Sequence, residues 1–182
     1  IPLFMLWSNL HGQFILGLGI FFIILTLYIV QKYHYAAKWD EKKDVLGEAK
    51  RLTLVFALST IATVINPFGI QIYFETLKHF GNPLQKFIIE WLPFDRFSLL
   101  WWNLISWETL IIISLGIFLT RKTFFRNIYY IIPTIILLIL SVQVRRYFWV
   151  LLLISIPVVK ITIEAIKPKL TEISATISTL VL

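Results

Sequence analysis

The sequence has no cysteine, one methionine and few charges, Asp, Glu, Lys and Arg together making 15% of its 182 residues. Without a thiol there is no sulfur nucleophile, no redox pair and no thiolate metal site. A soluble domain carries about 25% charged residues, which at this length is roughly 45 side chains. Here 17 Lys and Arg plus 10 Asp and Glu make 27. No P-loop, no dinucleotide glycine pattern and no Ser-His-Asp arrangement occurs, and no internal repeat supports a solenoid. What is there is apolar: 58% of residues are in the AVILMFWYC class and the mean hydropathy is +0.82. That composition excludes disordered, collagen-like and disulfide-stapled chains and belongs in a membrane.

The formal charge of +7 would point to nucleic acid in a soluble protein. In a membrane protein Lys and Arg collect in cytoplasmic loops instead, so the expected partner is the lipid bilayer and not nucleic acid. The chain opens at Ile1 inside an apolar run, without the basic start of a signal peptide. It reads as an excised segment of a longer protein, forming a single transmembrane region over residues 1–182.

A membrane helix needs about 20 mostly apolar residues, because 1.5 Å of rise per residue must cover about 30 Å of hydrocarbon. Charge-free stretches predict an all-α, polytopic bundle of about five spans, with interfacial helices on its outer face. The tail of one helix, Ile1–Ser8, ends at Asn9-Leu10-His11-Gly12, and the first full span is Gln13–Val30. The second, Leu52–Ile65, is only fourteen residues and stops at Asn66-Pro67-Phe68-Gly69, since proline lacks a donor and disfavours helix before it. The third is Asn103–Thr120, holding Glu108, which should face protein or a wet cavity and pair with an arginine. The fourth is Ile128–Val144 with Pro133 inside. The fifth, Tyr147–Ile163, contains Pro157 and Lys160 and competes with a re-entrant reading. The segment after Pro168 reads either as an interfacial helix or as a further span cut short.

If the spans alternate, one side receives Lys32, Lys38, Lys42, Lys43, Lys50, Arg51, Arg121, Lys122, Arg126, Lys160, Lys167 and Lys169, and the other Lys78, Lys86, Arg96, Arg145 and Arg146. Twelve against five puts the first group in the cytoplasm. Residues 32–51 then form a solvated, partly helical cytoplasmic loop, and residues 66–102 an extracytoplasmic loop with short amphipathic helices. In that outer loop Ile70, Tyr73, Phe74 and Leu77 fall at helical spacing, which predicts an amphipathic helix at the interface. Gly81-Asn82-Pro83 ends it, Leu84–Trp91 reads as a second short helix, and Pro93 begins a turn with Asp95-Arg96.

The stretches LWSNLHGQFILG at Leu6–Gly17, NPFGIQIY at Asn66–Tyr73, IIEWLPFD at Ile88–Asp95 and RRYFW at Arg145–Trp149 together resemble the later half of bacterial multi-spanning proteins of the glycosyltransferase C-type superfamily. The resemblance runs over roughly Leu6–Pro157, and it is carried by the order and spacing of the pieces, none of which is specific alone. It implies an integral protein of the bacterial cytoplasmic (inner) membrane, acting on the extracytoplasmic side with a polyprenyl-phosphate sugar as donor. Such enzymes carry their catalytic Asp in a first outer loop that this chain lacks, so no catalytic base is assigned. No cofactor follows from the residues, and use of a divalent metal stays open.

Five residues are candidates for substrate binding: His11, Glu90, Trp91, Arg145 and Arg146. Two guanidinium groups between apolar runs are costly in lipid, about 2.5–3.5 kcal/mol each at the bilayer centre. At headgroup depth they offer bidentate recognition of phosphate, or else snorkel as anchors. Adjacent helical residues point about 100° apart, so only one of the pair can face a given ligand. Glu90 sits before Trp91 in an apolar run, where a carboxylate can bond sugar hydroxyls while the indole stacks on the ring. The competing role is a salt bridge to Arg96 or Arg145. His11 either exchanges a proton beside Gly12 or caps a turn with Asn9. A metal site has no spacing to support it. Asp95 and Arg96 lean to a turn and its charge partner. Against the transferase stand a transporter or flippase-like module, whose buried charges and matching halves are missing here, and a non-catalytic membrane scaffold.

Overall fold

The computed structural model describes residues 1–79, 82, 83, 87–93 and 101–181, and within these the side chains of all but 39, 101, 102, 104, 122 and 168–181. It is 86% helical, with no strand among the described residues. Seven α-helices follow in order: α1 Pro2–Leu10, α2 Phe14–Tyr35, α3 Trp39–Ala62, α4 Gln71–His79, α5 Trp101–Leu119, α6 Ile128–Gln143 and α7 Phe148–Val181. They fall into two compact units, residues 1–88 and 89–182.

In the first unit, Pro2 opens α1, where its missing N–H is no loss. His11 takes an extended conformation and ends it, so the break at Asn9–Gly12 lies where the polar residues predict. α2 is uniformly apolar through its middle and ends with Lys32 and His34 in the last turn, as the helix dipole favours. The connection to α3 is short, because the Glu41 carboxylate turns back to accept the N–H groups of Ala37 (2.8 Å) and Lys38 (3.4 Å). Residues 32–51 are therefore mostly the facing ends of a helical hairpin, clipped by Tyr28 Oη donating to Glu48 Oε1 at 3.1 Å. Phe14, Leu18, Leu25 and Ala62 are buried in this unit, and Phe21 meets Phe56 edge-on at 5.4 Å. α1 lies close on α2: a Cβ on Gly17 would come within 2.6 Å of Trp7 Cη2.

Asn66 builds the turn after α3. Its Nδ2 donates to the carbonyls of Thr63 (2.7 Å) and Gly69 (3.2 Å), while its Oδ1 accepts from the Phe68 N–H at 2.8 Å. Gly69 has φ +54°, a left-handed backbone that glycine adopts without a Cβ clash.

In the second unit α7 packs against both α5 and α6, and Leu110, Ile113, Ile131, Leu137, Leu151 and Val158 are buried there. Short 3₁₀ turns at Thr120–Thr123 and Phe125–Asn127 lead into α6, and one at Arg145–Tyr147 leads into α7. Thr162 Oγ1 of α7 donates to the Gly116 carbonyl of α5 at 3.3 Å.

Among the described residues three stretches are long and apolar enough to cross a membrane, Phe14–Tyr35, Phe125–Gln143 and Arg145–Lys167, where five spans were expected. The corrections concern the second and third. α3 carries Asp40, Glu41, Lys42, Lys43, Asp44, Glu48, Lys50 and Arg51 in its first half, and the apolar remainder, 52–62, rises only about 16 Å. Among the described residues α5 offers the shorter apolar stretch Ile105–Leu119. The fifth stretch is an unbroken helix through Pro157, not a re-entrant one, and the segment after Pro168 continues α7. At 34 residues α7 is roughly 50 Å long, more than one bilayer crossing uses. Glu108 is exposed and has no arginine partner among the described residues. Gly81, residues 84–86 and the Asp95-Arg96 turn lie outside the described residues.

Candidate functional site

Val144 breaks α6 with an extended conformation, and Arg145, Arg146 and Tyr147 form a single 3₁₀ turn before α7 begins. The turn places the two arginines at one end of the three-helix unit. Against it lies a second 3₁₀ turn, Ile89–Trp91, followed by Leu92 and Pro93.

The two arginines do different things, as their angular separation requires. Arg145 is a clasp. Its backbone N–H donates to the Leu92 carbonyl at 3.1 Å, its Nε to the same carbonyl at 3.3 Å, and its Nη2 to the Pro93 carbonyl at 2.8 Å. These charge-assisted bonds satisfy backbone carbonyls at the end of the 89–93 segment. Arg146 points to the other side of the turn. Its guanidinium lies over the Trp91 ring at 5.4 Å from the centroid, with Nη1 3.4 Å from Glu90 Oε2. Tyr147, buried, meets Trp91 edge-on with centroids 6.4 Å apart.

Four of the five expected residues, Glu90, Trp91, Arg145 and Arg146, thus gather at one end of the second unit. Glu90 pairs with Arg146, a partner that neither expected salt bridge named. The arginine side chain is 22% exposed and the glutamate 66%. The cation is accordingly held by the protein while the carboxylate stands at the rim, and an ion pair so exposed contributes about 0–1 kcal/mol. One face of Trp91 carries the guanidinium.

Chemically this is a half-buried guanidinium resting on an indole platform beside an exposed carboxylate. Such a group recognises an anion, phosphate above all, because its planar N–H fork matches two oxygens and its charge does not titrate.

His11 belongs to the first unit. Its Nδ1 accepts the Gln13 N–H at 3.0 Å, and Asn9 Nδ2 donates to the carbonyls of Met5 and Ile65, each at 2.8 Å. These bonds serve the turn between α1 and α2 and the end of α3, which is the capping role. Gly12 approaches Thr76 of α4 rather than open space, with 3.3 Å between a built Cβ and Thr76 Cγ2. His79 Nδ1 lies 2.6 Å from the Glu75 carbonyl of its own helix. Among the described residues no three His, Asp or Glu side chains gather where a metal ion could sit.

The sequence reading missed Tyr147 as part of the platform and the Leu92 and Pro93 carbonyls as ligands of Arg145. The first had a signal: an aromatic directly after two arginines at a span boundary. The second had none, because a carbonyl is present at every residue and only the fold selects two of them. No family model matches this chain, and no curated protein and no solved structure matches it either.

Proposed function

We propose that the chain is part of an integral-membrane glycosyltransferase that uses a polyprenyl-phosphate sugar donor at the extracytoplasmic face. The observation that carries the reading is Arg146, a guanidinium held on Trp91 with Glu90 beside it, at the end of the membrane-crossing stretch Arg145–Lys167. In the reaction an acceptor hydroxyl attacks the anomeric carbon, the bond from that carbon to the phosphate oxygen breaks, and polyprenyl phosphate leaves. Arg146 would bind the phosphate and offset the charge that grows on it as the bond breaks. Glu90, solvent-facing, would accept hydrogen bonds from sugar hydroxyls. The general base is not assigned to a residue of this chain.

The test is sugar transfer from a polyprenyl donor by the full-length protein. Glu90→Gln should lower the rate with expression unchanged, and Arg146→Lys should weaken donor binding, since an ammonium offers neither the fork nor the flat face for indole. Full activity in both variants removes the site from the reaction.

A second reading, a non-catalytic membrane scaffold, is favoured by Arg145, whose Nε and Nη2 serve the backbone of the 89–93 segment. Under it the exposed Glu90 carboxylate is dispensable, and the same assay separates the two.

A further inference from the structure

Helix α4 is nine residues long and its circumference divides into three arcs. The first faces its own unit. Tyr73 meets Phe14 edge-on with ring centroids 5.2 Å apart and its hydroxyl bonds Thr63, while Thr76 lies against Gly12 and Ile72 is half-buried beside it. The second arc is apolar and uncovered: Phe74 is 61% exposed and Leu77 55%, continued into the preceding turn by Ile70 at 59% and Phe68 at 60%. The third holds Gln71, Glu75 and Lys78, all exposed, with Lys78 Nζ donating to Glu75 Oε1 at 2.7 Å.

The depth of this helix follows from what its first arc touches. Phe14 is the first residue of α2, the 22-residue stretch long and apolar enough to cross a membrane, and Gly12 lies just before it. α4 therefore packs beside the end of a crossing helix, where hydrocarbon gives way to headgroups. A helix lying in that plane meets protein on one side, acyl chains on another and water on a third. The three arcs of α4 match those three surroundings.

We propose that α4 is an in-plane membrane anchor, and that the occupant of its Phe74–Leu77 face is lipid at the headgroup boundary. The charge on its polar arc sharpens the claim. Lys78 is offset by Glu75, so the seat rests on apolar burial and does not require anionic lipid. The inference depends on α2 crossing the membrane and not on the glycosyltransferase reading.

The chain has no cysteine, so single cysteines can be placed on α4 and spin-labelled without background. The full-length protein would be reconstituted in nanodiscs of phosphatidylcholine alone, and collision of each label with oxygen and with a water-soluble nickel complex measured. Labels at Phe74 and Leu77 should be reached by oxygen and not by nickel. Those at Gln71 and Lys78 should show the reverse, and one at Ile72 should be shielded from both. Shielding of Phe74 and Leu77 from both reagents would mean that a second copy or another protein covers the face, and would overturn the proposal. So would nickel access at those positions, or a pattern that forms only after phosphatidylglycerol is added.

Discussion

Arg145 and Arg146 are neighbours with the same side chain, yet their substitution should have different consequences. Arg145→Ala removes the guanidinium bonds to the Leu92 and Pro93 carbonyls while the Leu92 carbonyl keeps the backbone N–H of residue 145, so it should destabilise the second unit by about 1 kcal/mol. Thermal unfolding in detergent would show it as a lowered midpoint. Arg146→Lys should leave that midpoint close to the parent's and lower donor affinity instead. If Arg145→Lys weakens the donor and Arg146→Lys does not, the roles are the other way round. Gly17 makes a purely steric prediction. Its missing Cβ leaves room for the Trp7 ring, and Gly17→Ala should cost about 1–3 kcal/mol from overpacking, measurable in the same unfolding experiment.

At the scale of the element, α4 carries a pH dependence. Glu75 is held below its ordinary carboxylate pKa, first by the hydrogen bond from Lys78 and then by the Lys78 charge. A depressed pKa means that the charged form is the one the folded helix favours. The contribution is present above the ordinary value of 4.5 and lost as pH falls through the lowered value. Amide exchange in α4 should therefore speed up as the pH is taken below that range, and Glu75→Gln should remove the step while leaving the helix formed at neutral pH. Tyr73→Phe tests the attachment of the same helix: losing the hydroxyl that bonds Thr63 should cost about 1 kcal/mol and loosen α4 at every pH.

The elements also show where apolar patterning is a sufficient guide. α2 and the 125–143 and 145–167 stretches announce themselves by composition, because a crossing helix must be apolar along about 30 Å. The existence of α4 and its amphipathic face were equally legible, from Ile70, Tyr73, Phe74 and Leu77. α3 was not read in full. Its helix begins at Trp39, well before the apolar segment, because Glu41 caps it and a charged helix forms as readily as an apolar one once its start is fixed.

For the whole molecule the prediction concerns sidedness. If α3 and α5 cross along with the three longer stretches, alternation with a lysine-rich inner side sets residues 36–51 and 121–126 against residues 66–93 and 144–147. In sealed vesicles of known orientation, cysteines at Asp44 and Arg126 should react with a membrane-impermeant reagent from the cytoplasmic side, and cysteines at Pro67 and Glu90 from the opposite side. Reaction of Glu90 from the cytoplasmic side would remove the basis for a transferase acting outside the cell.

Composition and hydropathy by themselves determined that this is an all-α membrane chain, where it turns and which polar residues stand at the turns, since all of these depend on the chemistry of contiguous residues. Only the tertiary structure decided that Glu90 pairs with Arg146 and not with Arg145, and that Arg145 is bound by the carbonyls of Leu92 and Pro93. Those choices join segments more than fifty residues apart, or depend on which of several carbonyls a fold presents, and no local pattern encodes them.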